Sequence, residues 1–456
     1  MSKTKIVIVG ASHGGHESAI ELLDKYRDVD VTIYEAGDFV SFMSCGMELF
    51  LEDKVTAQED VRNFKPEDIT SKGGHVFNNH EVTAINADKK EVSVKDVKSG
   101  QTEQVAYDKL ILSSGVTPTV LPVPGHDLDG IYAMRGYDWA SKIKAATTDD
   151  SIKNVTVIGA GYIGIEAAEV FTEAGKHVTL MDMIDRPLGN YLNENLTDVV
   201  TKELTSKGVE LALSQSIKSF EGDKSVTGVK TADKTYPADL VICAAGVKPN
   251  TAWLSGTVNL TDRGFIDVNP YLQTNLPDVY AMGDAILPLS IPAGKPMPIA
   301  LATTARREAQ YVVDHIFEDT PAAPFKGVVG ASALSVFDYH FAAAGLNTTT
   351  AAKVDVPVAT SAYQDTLRPA YVPESAGNTD VYTSLTFDPL THQILGGAVL
   401  SKYDITAQGN VIALAVAHKL TLEDLATADF FFQPGFDRQW SLLNLAAQHA
   451  LGWARF

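Results

Sequence analysis

This 456-residue chain has only two cysteines, and one of them stands where a thiol could do chemistry. Cys45 sits in SFMSCGMELFLED, between Ser44 and Gly46, with an apolar-periodic run (Met47, Phe50, Leu51) behind it. The pattern predicts a thiol near a helix N-terminus, where exposed N–H groups stabilise a thiolate. Its small neighbours let the backbone approach something planar. The other cysteine, Cys243, lies 198 residues away in LVICAAG and reads as a small core residue of a strand. With no C-x-x-C, redox chemistry at Cys45 must run through one sulfur, as thiolate and sulfenate or as a mixed disulfide with a small thiol. Ordinary dithiol–disulfide reduction is excluded, and so are cysteine-rich zinc or iron–sulfur sites.

Histidine is the second unusual choice. His13 lies in the turn Gly10-Ala-Ser12-His13-Gly14-Gly15, where small residues suffice. A side chain there is a cost unless it is used, and a place beside a peroxide or a thiolate would use it. His16, three residues on, reads as a surface residue. Arg306 and Arg307, in LATTARREAQ, fall on a predicted helix, and spacing alone leaves open whether either counters a charge at the site.

Those residues are embedded in a duplicated unit. IVIVGASHGGHESAIELL followed by DVTIYE (6–35) matches VTVIGAGYIGIEAAEVFTEAG followed by HVTLMD (155–182). Each has an apolar strand, a Gly-rich turn, a helical pattern and a second strand ending in an acid. The lead glycines, Gly10 and Gly159, are followed by Glu35 and Asp182 after 25 and 23 residues. Gly159, Gly161 and Gly164 complete a G-x-G-x-x-G. The first permits the tight turn, the second lets backbone approach a pyrophosphate at the helix N-terminus, and the third seats the helix on the strand. The first unit carries Ser12 where a second glycine is usual and keeps Gly15. Asp182 would accept from a ribose 2′-OH and repel a 2′-phosphate, favouring NADH over NADPH. Two dinucleotide sites in one chain imply an electron relay, most simply FAD held in the first and a nicotinamide visiting the second.

The elements that must position these groups follow from the same duplication. YDKLILSSGVTPTVLPVPG (107–125) and YPADLVICAAGVKPN (236–250) each run through a strand to a glycine and then a proline. Ser114, Gly115 and Gly246 in those loops join the cofactor-binding set. TNLPDVYAMGD (274–284) ends a strand at Gly283 and Asp284, placed to meet a second part of an extended cofactor. The fold class expected is α/β, with two doubly wound Rossmann-like dinucleotide-binding domains plus an α+β C-terminal dimerisation domain. The divisions expected are 1–118 and 248–322 for the first domain, 119–247 for the second and 323–456 for the third.

Composition narrows the setting. A net charge of −20 disfavours nucleic acid and anionic lipid, and no run of 18 apolar residues offers a membrane span. Two cysteines and a first apolar run too short for a secretory signal predict a reduced, cytoplasmic location. No metal site is expected.

Taken together, GASHGGHESAIELL, SFMSCGMELFLE, VIGAGYIGIEAAEVF, DRPLG, AAGVKPNTAWL, VYAMGDA, LATTARREAQ and DFFFQPGFDRQW resemble the NADH peroxidases over essentially the whole chain. These belong to the single-cysteine, flavin-dependent group that also holds water-forming NADH oxidases and coenzyme A-disulfide reductases. The resemblance implies tightly bound FAD, NADH as substrate, and a homodimer or homotetramer. Cys45 would be the cysteine–sulfenic acid, His13 the histidine near it, and Arg306 that histidine's partner. Glu35 and Asp284 would bind FAD. Tyr162 would cover the flavin until nicotinamide displaces it, Glu166 would orient the nicotinamide and Asp182 would bind its ribose. Phe430 to Trp440 would complete a neighbouring subunit's site, without the His-Glu pair of dithiol reductases. Ser12-His13-Gly14-Gly15 and Asp38-Phe39-Val40-Ser41-Phe42 look like the peroxidases. The departures, Ala11 and His16, are expected to sit beside the turn and away from the chemistry. Hydrogen peroxide is therefore the acceptor expected, with oxygen or coenzyme A disulfide as the alternatives.

Overall fold

A computed structural model describes residues 3–453. Its first sheet has five parallel strands in the order Val279–Ala281, Lys109–Leu112, Thr4–Val9, Val29–Glu35, His75–Asn78. The central strands are runs of Val, Ile and Leu because a parallel sheet is covered on both faces. Ile6, Ile8, Val31, Ile33, Leu110, Ile111 and Leu112 are all fully buried. Helices His13–Lys25 and Ala302–His315 pack against each other on this sheet. One strand and one covering helix thus come from beyond residue 270.

The second sheet repeats the plan with Glu210–Ala212, His177–Met181, Asn154–Ile158, Leu240–Cys243 and Ile131–Ala133, again all parallel. Between the two sheets the chain crosses over and returns. The outgoing strand Val116–Pro118 and the returning strand Val247–Pro249 pair antiparallel, so both crossings form one ribbon.

A third sheet is antiparallel, in the order Ser332–Val336, Tyr339–Gly345, Ile394–Ser401, Asp380–Phe387, Ala359–Thr366. Helices Gln408–Ala417 and Leu442–Ala450 cover it, giving the α+β character expected of this region. Its buried Leu334, Val336 and Phe341 share one apolar cluster with Met47 and Leu51 behind Cys45 and with Ile165 and Phe171 of the second unit. The cysteine segment is therefore clamped against the second and third sheets.

Candidate active site

The two Gly-rich turns are built alike. In the first, the Ala11 N–H donates to Glu35 Oε2 at 2.9 Å and the Gly37 N–H donates to Oε1 at 2.9 Å. In the second, the Ala160 N–H donates to Asp182 Oδ2 at 2.6 Å and the Ile184 N–H to Oδ1 at 3.1 Å. Each acid is thus fixed at its strand tip beside its own turn. The close seating explains the third glycine: a Cβ on Gly15 would stand 1.8 Å from the Gly10 carbonyl oxygen, and one on Gly164 1.7 Å from that of Gly159. Helices His13–Lys25 and Tyr162–Glu173 begin at Ser12 and Gly161, and neither cap residue makes a side-chain cap hydrogen bond. The first N–H groups stay available to an anion.

Around the first turn stand Ser114, Gly115, Gly283 and Asp284, whereas Gly246 follows Ala244 and Ala245 beside Gly159 of the second turn. Gly115, Gly246 and Gly283 all take positive φ. The Gly283 N–H donates to Glu308 Oε2 at 2.7 Å, and Asp284 pairs with Arg135 at 3.1 Å. His13 Nδ1, Ser114 Oγ and Glu308 Oε1 are buried with no hydrogen-bond partner. Orphaned polar atoms bordering an open helix N-terminus fit a large polar cofactor.

Cys45 occupies a 3₁₀ turn, Ser44–Gly46, leading into the short helix Met47–Leu51. Solvent reaches the residue. Even so, the protein crowding its thiol pushes the pKa up, and Glu166 adds to this, while its own backbone N–H, Arg306 and Arg135 pull the other way. Here the structure corrects the sequence reading: a helix start does not by itself make this thiol acidic, because burial outweighs it. Cys243 ends its strand half-buried, and burial pushes its thiol up to about 11.

Two further expectations are corrected. His16 is not on the surface: it is 1% exposed, with Nδ1 at 2.6 Å from Ser41 Oγ. Nor is Arg306 hydrogen-bonded to His13. Its Nη2 lies 3.4 Å from His16 Nε2 and its Nε 3.6 Å from Glu17. His13 feels it as a nearby charge; burial first, then Arg306, lowers the His13 pKa, against a raising effect of Asp284. Arg307, by contrast, turns back to the Thr303 carbonyl.

On the second turn, the Tyr162 and Tyr191 rings stack at 4.1 Å, and the Tyr162 hydroxyl meets Ser332 Oγ at 2.5 Å. One turn along the helix, burial followed by Glu48, Glu169 and Glu52 pushes Glu166 up to about 8. Burial and Glu52 push Glu48 up to about 7. Sequence reasoning named Glu166 but missed its carboxylate neighbours Glu48, Glu52 and Glu169, and also Arg135. Glu48 had a legible signal, lying three residues from Cys45; Arg135 had none, since its partner Asp284 is 149 residues away.

The pyridine nucleotide-disulphide oxidoreductase family model matches residues 4–309. The chain belongs to this family. Among its relatives is an NADH oxidase of Enterococcus faecalis, 39% identical over 98% of this chain and 99% of that protein. A coenzyme A disulfide reductase of Staphylococcus haemolyticus is 28% identical over 98% and 99%. A solved structure of the water-forming NADH oxidase from Lactobacillus brevis, bound to NADH, superposes with a TM-score of 0.94 at 34% identity, covering 99% and 98% of the two chains. This family member is an NADH-dependent flavin oxidoreductase, and FAD and NADH are its expected cofactors. Among the described residues no helix is long and apolar enough to cross a membrane, and no cluster of His, Cys, Asp and Glu could hold a metal.

Proposed function

We propose that this enzyme reduces hydrogen peroxide to water with NADH, using Cys45 as its single sulfur redox centre. The observation that carries the proposal is the solvent-reached Cys45 thiol under the charges of Arg306 and Arg135, the same two cations that act on His13, with Glu166 of the second unit reaching it from the other side. FAD, when bound, supplies the means to pass the electron pair of NADH to sulfur. The Gly10–Gly15 turn and Glu35 would hold its adenosine half; Ser114, Gly115 and the Gly283–Asp284 turn would border its remainder, and the Gly246 loop stands beside the second turn instead. Gly159, Gly161, Gly164 and Asp182 would hold NADH, with Tyr162 over the nicotinamide place and Glu166 beside it.

At sulfur the balance closes in two steps. Sulfenic acid plus NADH gives thiolate, NAD⁺ and water. The thiolate then displaces hydroxide from hydrogen peroxide, which takes a proton to leave as the second water and regenerates the sulfenic acid. His13, kept neutral, can hydrogen-bond the peroxide, while Arg306 and Arg135 stabilise the thiolate. A sulfur centre that turns over two electrons at a time matches peroxide, which accepts two, and the Ser12–Gly15 and Asp38–Phe42 segments resemble the peroxidases.

The names of the relatives favour a second reading, water-forming reduction of oxygen, which needs two NADH per turnover. Anaerobic NADH oxidation on adding peroxide tests the choice. Turnover confined to oxygen, with none on peroxide, would overturn the first reading. We also propose the division 1–118 with 248–322, 119–247 and 323–456, a cytoplasmic location and a homodimer or homotetramer. The exposed aromatic surface at Phe431, Phe432 and Phe436 supports a second copy covering the 430–440 loop.

A further inference from the structure

His16 joins four separate pieces of chain. It lies on the helix that starts at His13. Its Nδ1 meets Ser41, four residues before Cys45, and its Nε2 meets Arg306 from the helix Ala302–His315. Its ring packs edge-on against Phe64 at 4.8 Å, and the Arg306 guanidinium lies 5.7 Å from the same ring. Ser41 is itself pinned: it is buried, takes φ of +65° and donates its N–H to the Ala11 carbonyl.

These contacts determine the tautomer. A guanidinium only donates, so Nε2 must accept and the ring proton must sit on Nδ1. Nδ1–H then has Ser41 Oγ as its acceptor. The titratable and charged groups facing the ring are Arg306 and, on its own helix, His13, with rings 5.9 Å apart; Glu17 faces Arg306. Burial, then His13 and Arg306, pull His16 down to about 3, so the ring stays neutral through the working range.

We propose that His16 is a positioning residue: locked as the Nδ1–H tautomer by Ser41, it offers its Nε2 lone pair to Arg306 and so fixes that cation beside Cys45 and His13. The inference rests on Cys45 being the redox centre. It assigns to a buried side chain the job of aiming the charge that favours the thiolate.

Two amide replacements separate the halves of the ring. In His16→Asn the amide reaches the place of Nδ1 and loses Arg306; in His16→Gln it reaches the place of Nε2 and keeps an acceptor for Arg306. In a Cys243→Ala background, the alkylation rate of reduced Cys45 by iodoacetamide against pH reports the thiol directly. Glu166, Arg306 and Arg135 are the charges acting on it. The Asn variant should raise the midpoint by about 0.5–1 pH unit, and the Gln variant should stay near wild type. The kcat/KM for peroxide should fall about three- to tenfold in the Asn variant alone, since one pKa unit corresponds to a factor of ten. A wild-type midpoint in the Asn variant, or a Gln variant displaced as far as Asn, would overturn the proposal, because a role in packing alone would not distinguish the two amides. If the Asn variant fails to retain FAD, ¹⁵N-histidine NMR of the wild-type holoprotein decides. An Nδ1–H signal assigned to His16 supports the lock, and an Nε2–H signal refutes it. The alkylation read-out needs no turnover, so it stays separate from a failure of the Cys45 mechanism, which would appear as an active Cys45→Ser enzyme.

Discussion

The hydroxyl of Tyr162 and that of Ser332 meet at 2.5 Å, tying the first residue of the second dinucleotide helix to the edge of the antiparallel sheet. If Tyr162 must swing aside for the nicotinamide, this bond resists the movement. Ser332→Ala removes it at little change in size. A buried hydrogen bond is worth about 1 kcal/mol net, so NADH should bind about fivefold more tightly. Stopped-flow measurement of NADH dissociation constants for the two proteins checks this, and equal constants would detach Ser332 from the gate.

Asp182 is the basis for expecting NADH. Its carboxylate is fixed by the Ala160 and Ile184 N–H groups, and Arg186, the nearest cation, is already engaged by Glu194 and Asp198. Asp182→Ser should therefore lower the preference for NADH over NADPH by about tenfold or more, mainly by weakening NADH. The ratio of kcat/KM for the two coenzymes is the measurement. An unchanged ratio would remove the carboxylate from the 2′ position.

Cys45→Ser should retain fold, FAD and hydride transfer from NADH, yet lose peroxide turnover by at least about a thousandfold, since a hydroxyl cannot pass through a sulfenic state. In air the variant should release hydrogen peroxide. Peroxide formed per NADH, measured in both proteins, also separates the two acceptors: a wild type that consumes oxygen rapidly without added peroxide is the oxidase.

Glu166 and Glu48 carry a sign that can be checked. Burial lifts both above the usual carboxyl value of 4.5, Glu166 to about 8 and Glu48 to about 7. The folded protein thus binds these protons more tightly than the unfolded chain. Their contribution to stability is full below pH 4.5 and is lost as pH rises through 7 and 8. The Tm should fall over that window, and Glu166→Gln with Glu48→Gln should flatten the decline. An identical pH profile in the double variant would show that neither group is held neutral by the fold.

Much of this arrangement could be read from the chain because glycine-mediated seating is local. Gly10, Gly15, Gly159 and Gly164 mark where a helix must touch its own turn, and the acids at 35 and 182 follow at a fixed span of one helix and one strand. His16 could not be read that way. Its burial depends on Ser41 and Arg306, which arrive from 25 and 290 residues away, and a polar residue on a helix with no visible partner reads as solvent-facing. The thiol of Cys45 was misjudged for a related reason. Helix position is encoded nearby, whereas the Glu166 carboxylate that opposes it comes from the second unit. Arg135 and Asp284 meet only once both sheets are assembled.

The ribbon formed by Val116–Pro118 and Val247–Pro249 has a consequence for modular exchange. Because exit and re-entry are hydrogen-bonded neighbours, the intervening segment begins and ends at one place, within about 5 Å across an antiparallel pair. A coenzyme-reading unit from a homologue could be spliced there without stretching the remaining chain, provided it restores the apolar seam with Met47 and Leu51.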